Sequence, residues 1–280
     1  MRYGFYPGCS YHTAAGYKES IDTLNKILGI EFIELEDWSC CGATTTFSQD
    51  HENAVALVGR LIAIANQQGF DEIITVCNAC YTTLRKGSEL LKKSTSLIND
   101  INNRLSDEQL KIEKVVPVKH YLEILKRDIP KDVWKEKTVR DCSNLNIASY
   151  YGCQFTRPWE DVDCSERPTM MDQILAEGSF KTVAHSVKTF CCGAAHMVPH
   201  TDDCKNLIIK IINECHFKGG QIVSVMCPLC QLNLESGQLN QKSPIPVLYF
   251  TQLLGYALGA TTKELGLSRL LLPANLSFEN

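Results

Sequence analysis

The sequence lacks any apolar run long enough to cross a bilayer. A membrane helix needs about 20 predominantly apolar residues. The best candidate, VLYFTQLLGYALGA from Val247 to Ala260, is shorter and carries Gln252. An excess of one charge is also missing. The 28 Lys and Arg against 32 Asp and Glu leave a net charge of −4, with no electrostatic footprint of a nucleic-acid binder. No GxGxxG follows a strand-like run, so no dinucleotide fingerprint is written. The opening MRYGFYPGC has no apolar h-region, so a cytoplasmic chain is expected. The hydrophobic content of 44% excludes a disordered chain and is ample for packed cores.

Against these absences stand fourteen cysteines. In a chain with no mark of export, such a number indicates metal binding or redox chemistry before disulfide stapling. Their placement is a repeat. WSCCGA (Trp38–Ala43) returns as TFCCGA (Thr189–Ala194), and FYPGC ending at Cys9 returns as YYGC ending at Cys153. EIITVCNAC (Glu72–Cys80) matches QIVSVMCPLC (Gln221–Cys230), and PVKHYLEIL at Pro117 matches PVLYFTQLL at Pro246. The spacings are C-x30-CC-x35-C-x2-C and C-x37-CC-x34-C-x2-C. A polar run around Lys92–Gln109 is inserted only in the first half and is expected to be a solvated helical excursion. Two domains follow, 1–143 and 144–280.

Each half alternates strand and helix patterns. YGFY reads as a strand, followed by a helical pattern from Cys9 to Leu28 stopped by Gly29; IEFIEL and EIITV read as strands. His51–Gln68 carries an apolar helical stripe. Strands separated by helices imply an α/β fold with a mainly parallel sheet in each half and flanking helices. The middle strand of the second half, expected around Val183–Val187, is weakly written. All five repeat cysteines of a half then fall just after the C-terminal ends of three strands, the edge where such sheets bind ligands.

Zinc is a poor occupant. A tetrathiolate site uses four cysteines, usually as two CxxC knuckles about 15–20 residues apart, which leaves a thiol over in each half. A thioredoxin-like dithiol explains CNAC and CPLC but not the other cysteines. An iron–sulfur cluster fits better, because neighbouring thiolates can bind different irons. Gly42 and Gly193 then let the backbone turn without a Cβ, and a helix opening at each CxxC directs its positive end at a negative cluster.

With these motifs the chain resembles the CCG-domain family, most closely the B subunit of heterodisulfide reductase, over nearly its whole length. YPGCS, WSCCGAT, YYGCQFTRP, CCGAAH and PVLYFTQLLGYALG carry the resemblance. It implies two noncubane [4Fe-4S] clusters. One is expected on Cys9, Cys40, Cys41, Cys77 and Cys80, the other on Cys153, Cys191, Cys192, Cys227 and Cys230. It implies a catalytic component that splits a disulfide (of the coenzyme M–coenzyme B type or an analogue) into two thiols. Electrons would come from the family's other components, a [4Fe-4S] ferredoxin-type protein and a flavoprotein. The alternative is the cysteine-rich subunit of a succinate dehydrogenase or fumarate reductase, exchanging electrons with quinone. In that case Val247–Ala260 would meet the membrane with Tyr249 and Tyr256 at headgroup level.

Outside the repeat, His12, His196 and His200 lie close in sequence to the cysteine sets and are candidate proton carriers. Arg157 is a candidate for holding an anionic substrate tail. Cys204 and Cys215 share a helix face with Ile208 and Ile211, which indicates core packing. Cys142 has no partner at ligand spacing, and Cys164 is expected in an exposed loop.

Overall fold

The computed structural model describes residues 1–43, 45–274 and 276. Two four-stranded sheets are present, with orders β2-β1-β3-β4 and β6-β5-β7-β8, and every pairing in both is parallel. The chain is thus an α/β protein built from two repeated parallel-sheet domains.

The first sheet begins with β1 (Arg2–Tyr6), which leads into α1 (Cys9–Thr13) and α2 (Tyr17–Leu28). The single helix expected over Cys9–Leu28 is therefore two, broken where Gly16 takes φ +71°. Next come β2 (Glu31–Glu34), α3 (Thr46–Gln49), α4 (His51–Gln67), β3 (Ile73–Thr75), α5 (Asn78–Lys92) and α6 (Thr95–Arg104). Then follow β4 (Val118–His120) and α7 (Tyr121–Asp128). The central strand β3 is buried at every position, as a sheet covered on both faces requires. Asp50 caps α4 by accepting from the Asn53 N–H at 3.0 Å. Gly87 lets α5 approach α4, since a Cβ there would meet Val58 at 2.6 Å. The insert is not wholly solvated: α6 buries Ile101 against Gly59 of α4, where a Cβ would lie 2.8 Å from it.

The second sheet follows α8 (Lys131–Lys137). Its elements are β5 (Asn146–Tyr150), α9 (Met170–Glu177), β6 (Lys181–Thr182), α10 (Thr201–Phe217), β7 (Ile222–Val225), α11 (Pro228–Ser236), β8 (Val247–Tyr249) and α12 (Phe250–Ala257). The weak middle strand lies at Lys181–Thr182, ahead of its expected place at Val183–Val187. Only the Val183 N–H, bonded to the Ile147 carbonyl at 2.9 Å, prolongs the pairing. Neither β4 nor β8 is evident in the sequence, because each is three residues long and runs straight into a helix. Among the described residues no helix is long and apolar enough to cross a membrane. The Val247–Ala260 segment is core rather than a membrane face: Val247, Leu248, Tyr249, Leu253 and Leu254 are buried.

The compact units do not follow the halves of the repeat. One comprises Met1–Tyr11 with Gly29–Ile124; the other comprises His12–Leu28 with the chain from Leu125 onward. Helix α2 therefore belongs to the second unit, where it packs along α12. The Ser20 and Thr251 hydroxyls are 2.7 Å apart, and the Thr23 hydroxyl donates to the Glu264 carbonyl at 3.1 Å. Arg269 pairs with Glu19. Gly16 has to be glycine, since its Cβ would lie 2.6 Å from the Gln252 Nε2 atom.

Candidate thiol-cluster sites

In the first unit the strand order places β1 between β2 and β3. The chain runs from β1 to one neighbour and later to the other, which makes the β1–β3 edge a topological switch point. Cys9 follows β1, Cys40 and Cys41 follow β2, and Cys77 and Cys80 follow β3. The side chains converge. Cys41 and Cys80 sulfurs are 3.4 Å apart, Cys40 interacts with both Cys41 and Cys9, and Cys80 also hydrogen-bonds with Cys77.

The second unit repeats the arrangement. Cys192 and Cys230 sulfurs are 3.5 Å apart. Cys153 hydrogen-bonds with Cys191 and interacts with Cys192 and Cys227, while Cys230 hydrogen-bonds with Cys227. Each unit thus gathers the five thiols of its repeat. In both sets one face is open: Cys9, Cys40 and Cys191 are exposed, whereas Cys41, Cys77, Cys80, Cys192, Cys227 and Cys230 are buried.

Backbone and neighbouring donors concentrate negative charge on particular sulfurs. Hydrogen bonds from Cys40 and Cys80, and from the Ala43 N–H, lower the Cys41 thiol to about 3 despite burial. In the second set a hydrogen bond from Cys153, the Gly193 N–H and the charge of His196 lower Cys191 to about 6. Their neighbours go the other way: hydrogen bonding to Cys41 raises Cys40, and hydrogen bonding to Cys191 raises Cys153, burial adding to both. The CCG turns supply part of this field. Gly42 and Gly193 have φ +72° and +80°. Their N–H groups reach back to the Cys40 and Cys191 sulfurs at 3.5 and 3.3 Å. Helices α5 and α11 begin directly after Cys77 and Cys227, with no side-chain cap hydrogen bond at either. The positive helix ends therefore face the thiols.

Two tyrosines that the cysteine pattern does not single out complete the sites. Tyr6 closes β1 and donates to the Ser39 carbonyl at 2.9 Å; Tyr150 closes β5 and donates to the Phe190 carbonyl at 2.6 Å. Each bond pins the residue immediately before a cysteine pair. Burial and the neighbouring thiols raise both phenols, so they remain protonated donors. The repeat does carry a signal for them, since both tyrosines sit three residues before the first cysteine of a set. The Lys188 carbonyl accepts from the Tyr151 and Gly152 N–H groups at 2.9 and 3.1 Å, tying the turn before Cys153 to the segment before Cys191.

The remaining candidates separate. His196 and His200 have rings 6.0 Å apart and, with Cys191, Asp203 and Leu207, line a cavity of about 390 Å³. His12 is exposed on α1. Arg157 is held by Glu166 at 2.8 Å and by the Thr189 hydroxyl at 3.1 Å. Cys204 is buried as expected, but its thiol also donates to the Gly193 carbonyl at 3.2 Å. Burial raises Cys142 to about 11 and Cys215 to about 12, as suits core thiols. Cys164 is exposed.

Five soft thiol donors converge in each unit, and in the first the missing Cβ of Gly8 keeps the approach to a buried sulfur clear. A Cβ on Gly8 would stand 2.8 Å from the Cys80 sulfur, and soft thiolates select iron–sulfur clusters among other centres.

Two parallel-sheet units, each bringing five thiols to the carboxyl ends of its strands, define a duplicated cysteine-rich α/β protein. The chain belongs to the CCG cysteine-rich domain family, whose pattern matches residues 3–85 and again 147–235. It is 30% identical over 275 residues to the 8-methylmenaquinol:fumarate reductase membrane anchor subunit of Wolinella succinogenes, covering 95% of each chain. It is also 30% identical over 254 residues to the B subunit of the ferredoxin:CoB-CoM heterodisulfide reductase of Methanosarcina mazei, covering 86% of this chain and 84% of that one. Among solved structures, a hypothetical protein from Helicobacter pylori shares the fold with a TM-score of 0.77 at 14% identity. That match covers 98% of this chain and 52% of the other.

Proposed function

We propose that this chain is the iron–sulfur subunit of a multi-subunit oxidoreductase that reduces a disulfide to two thiols. Cys9, Cys40, Cys41, Cys77 and Cys80 would hold one noncubane [4Fe-4S] cluster, and Cys153, Cys191, Cys192, Cys227 and Cys230 the other. The observation that carries the reading is that both five-thiol sets are complete and gathered at matching strand ends. The likeness to the B subunit of heterodisulfide reductase supports it. When bound, the clusters supply electrons and iron sites that take up sulfur, and the balance is one disulfide, two electrons and two protons giving two thiols.

The chain's own residues prepare the sites. Tyr6 and Tyr150 fix the peptides that deliver the cysteine pairs, the glycine turns point N–H groups at sulfur, and the exposed Cys191 leaves one side approachable beside His196 and His200. Electrons would arrive from a ferredoxin-type protein and a flavoprotein in the cytoplasm. The test is iron and acid-labile sulfide per chain on anaerobically purified protein, with EPR after adding candidate disulfides. Two four-iron clusters and a disulfide-induced paramagnetic signal are expected; zinc in place of iron refutes the proposal.

A second reading, electron exchange with quinone in a fumarate or succinate enzyme, is favoured by the likeness to the fumarate reductase subunit. That likeness runs over 275 residues and covers 95% of each chain. Oxidation of the reduced clusters by a soluble quinone, with no response to disulfides, would select it.

A further inference from the structure

Each unit has a peptide that leaves the third strand of its sheet and delivers the first cysteine of the CxxC pair. In the first unit that peptide is held from β4. The buried His120 ring has its Nε2 atom 2.8 Å from the carbonyl oxygen of Val76, the residue before Cys77. Its Nδ1 atom accepts from the Leu122 N–H at 3.2 Å, which leaves Nε2 as the protonated donor. The repeat aligns PVKHY with PVLYF, so Tyr249 occupies the place of His120. Tyr249, however, directs its hydroxyl to the Gln231 Oε1 atom at 3.4 Å. The carbonyl of Met226, the residue before Cys227, is met instead by the hydroxyl of Tyr17 at 3.4 Å.

Tyr17 is well placed for that role. It is the first residue of α2 and 1% exposed, and its ring centroid lies 4.5 Å from that of Tyr249. The helix behind it is fastened to the second unit through Ser20 and Thr251 and through Thr23 and Glu264. A buried carbonyl with a donor is held in one orientation; without one it carries a desolvation penalty and is free to reorient. The peptide in question continues directly into Cys227 and the start of α11.

We propose that Tyr17 is a positioning residue of the second thiol set. It does for the Met226–Cys227 peptide what His120 does for Val76–Cys77, although it lies only eight residues beyond Cys9 of the first set. The proposal rests on the cluster reading only where it concerns cluster properties; the held peptide stands without it.

The test is Tyr17→Phe in the full-length chain, which keeps the ring against Tyr249 and removes only the O–H. In the apoprotein, amide exchange across residues 222–231 is expected to rise about two- to three-fold, the loss of one long hydrogen bond of 3.4 Å, with residues 1–9 unchanged. In the iron-loaded chain, the EPR signal and midpoint potential of the cluster on the second set should shift while those of the first stay fixed. Cys41→Ala and Cys192→Ala backgrounds assign the two signals. Unchanged exchange at 222–231, or equal changes at 1–9, overturns the proposal. A shift confined to the first cluster overturns it as well. Because exchange is read without iron, failure of the cluster reading remains distinguishable from failure of this one.

Discussion

Replacing Gly193 by alanine isolates the geometry of the second cysteine turn. Two costs add at this position. The backbone has φ +80°, and a left-handed conformation costs a non-glycine residue about 1–2 kcal/mol. The new Cβ would also lie 2.8 Å from the Cys204 sulfur, 3.2 Å from its Cβ and 3.3 Å from Leu207 Cδ1. Overpacking of this kind costs about 1–3 kcal/mol, so Gly193→Ala should destabilise the second unit by about 2–5 kcal/mol in total. Gly219 is the control, with φ +82° and nothing within 4 Å of where a Cβ would stand. Gly219→Ala should therefore cost only the backbone part, about 1–2 kcal/mol. Denaturant unfolding of the reduced apoprotein, monitored by exchange within β5 and β7, reads both values. Adding Cys204→Ala removes the nearest atom, so the double variant should be less destabilised than the sum of the singles by about 1 kcal/mol or more. Equal losses for the two glycines, or strict additivity in the double variant, would refute the argument that Cys204 is the wall of this turn.

Cys41→Ala and Cys192→Ala should each lower iron by one cluster's worth, leave the other set loaded and abolish disulfide turnover; normal turnover in either would sink the two-cluster mechanism. Leu24→Ala, at a fully buried site on α2, should cost about 2–5 kcal/mol, and the lost exchange protection should fall on β5, β7 and α12. Protection lost chiefly in β1 and β3 would contradict the assignment of α2 to the second unit. A chain of residues 144–280 alone should fail to give a folded second unit, and appending residues 12–28 should improve its yield; a well-folded 144–280 would count against the same assignment. Glu235 is raised by burial, although the Leu271 and Leu272 N–H groups oppose the shift. A carboxyl raised in the folded state contributes stability below its unfolded pKa, and that contribution is lost as pH rises through the folded value. Glu235→Gln should therefore remove the loss of stability that sets in as pH rises above the ordinary carboxylate range, and an unchanged pH profile of unfolding would refute the burial argument.

Much of this protein is legible in the sequence because its signals are local and written twice. The apolar and β-branched runs mark β1, β3 and β7, the apolar stripes mark α4 and α10, and the register of cysteines after each strand places both thiol sets at the sheet edges. Chemistry that repeats at fixed spacing survives without coordinates. Signals that depend on partners distant in sequence do not. Strands β4 and β8 are three residues long and owe their state to pairing with β3 and β7 rather than to their own pattern. The donors Tyr6 and Tyr150 look like ordinary core aromatics until the carbonyls of Ser39 and Phe190 come within reach.

The repeat fixes how many thiol sets the chain has and which cysteines form each one, because strand order and spacing are properties of the chain alone. Only the tertiary structure decides which unit owns α2 and what holds each turn. Residues 12–28 sit in the first half by sequence but bury their apolar face in the second unit, where the Tyr17 hydroxyl meets the Met226 carbonyl. The reason is physical: a helix is assigned by the surface that removes its apolar face from water, and that surface is formed by residues more than 200 positions away.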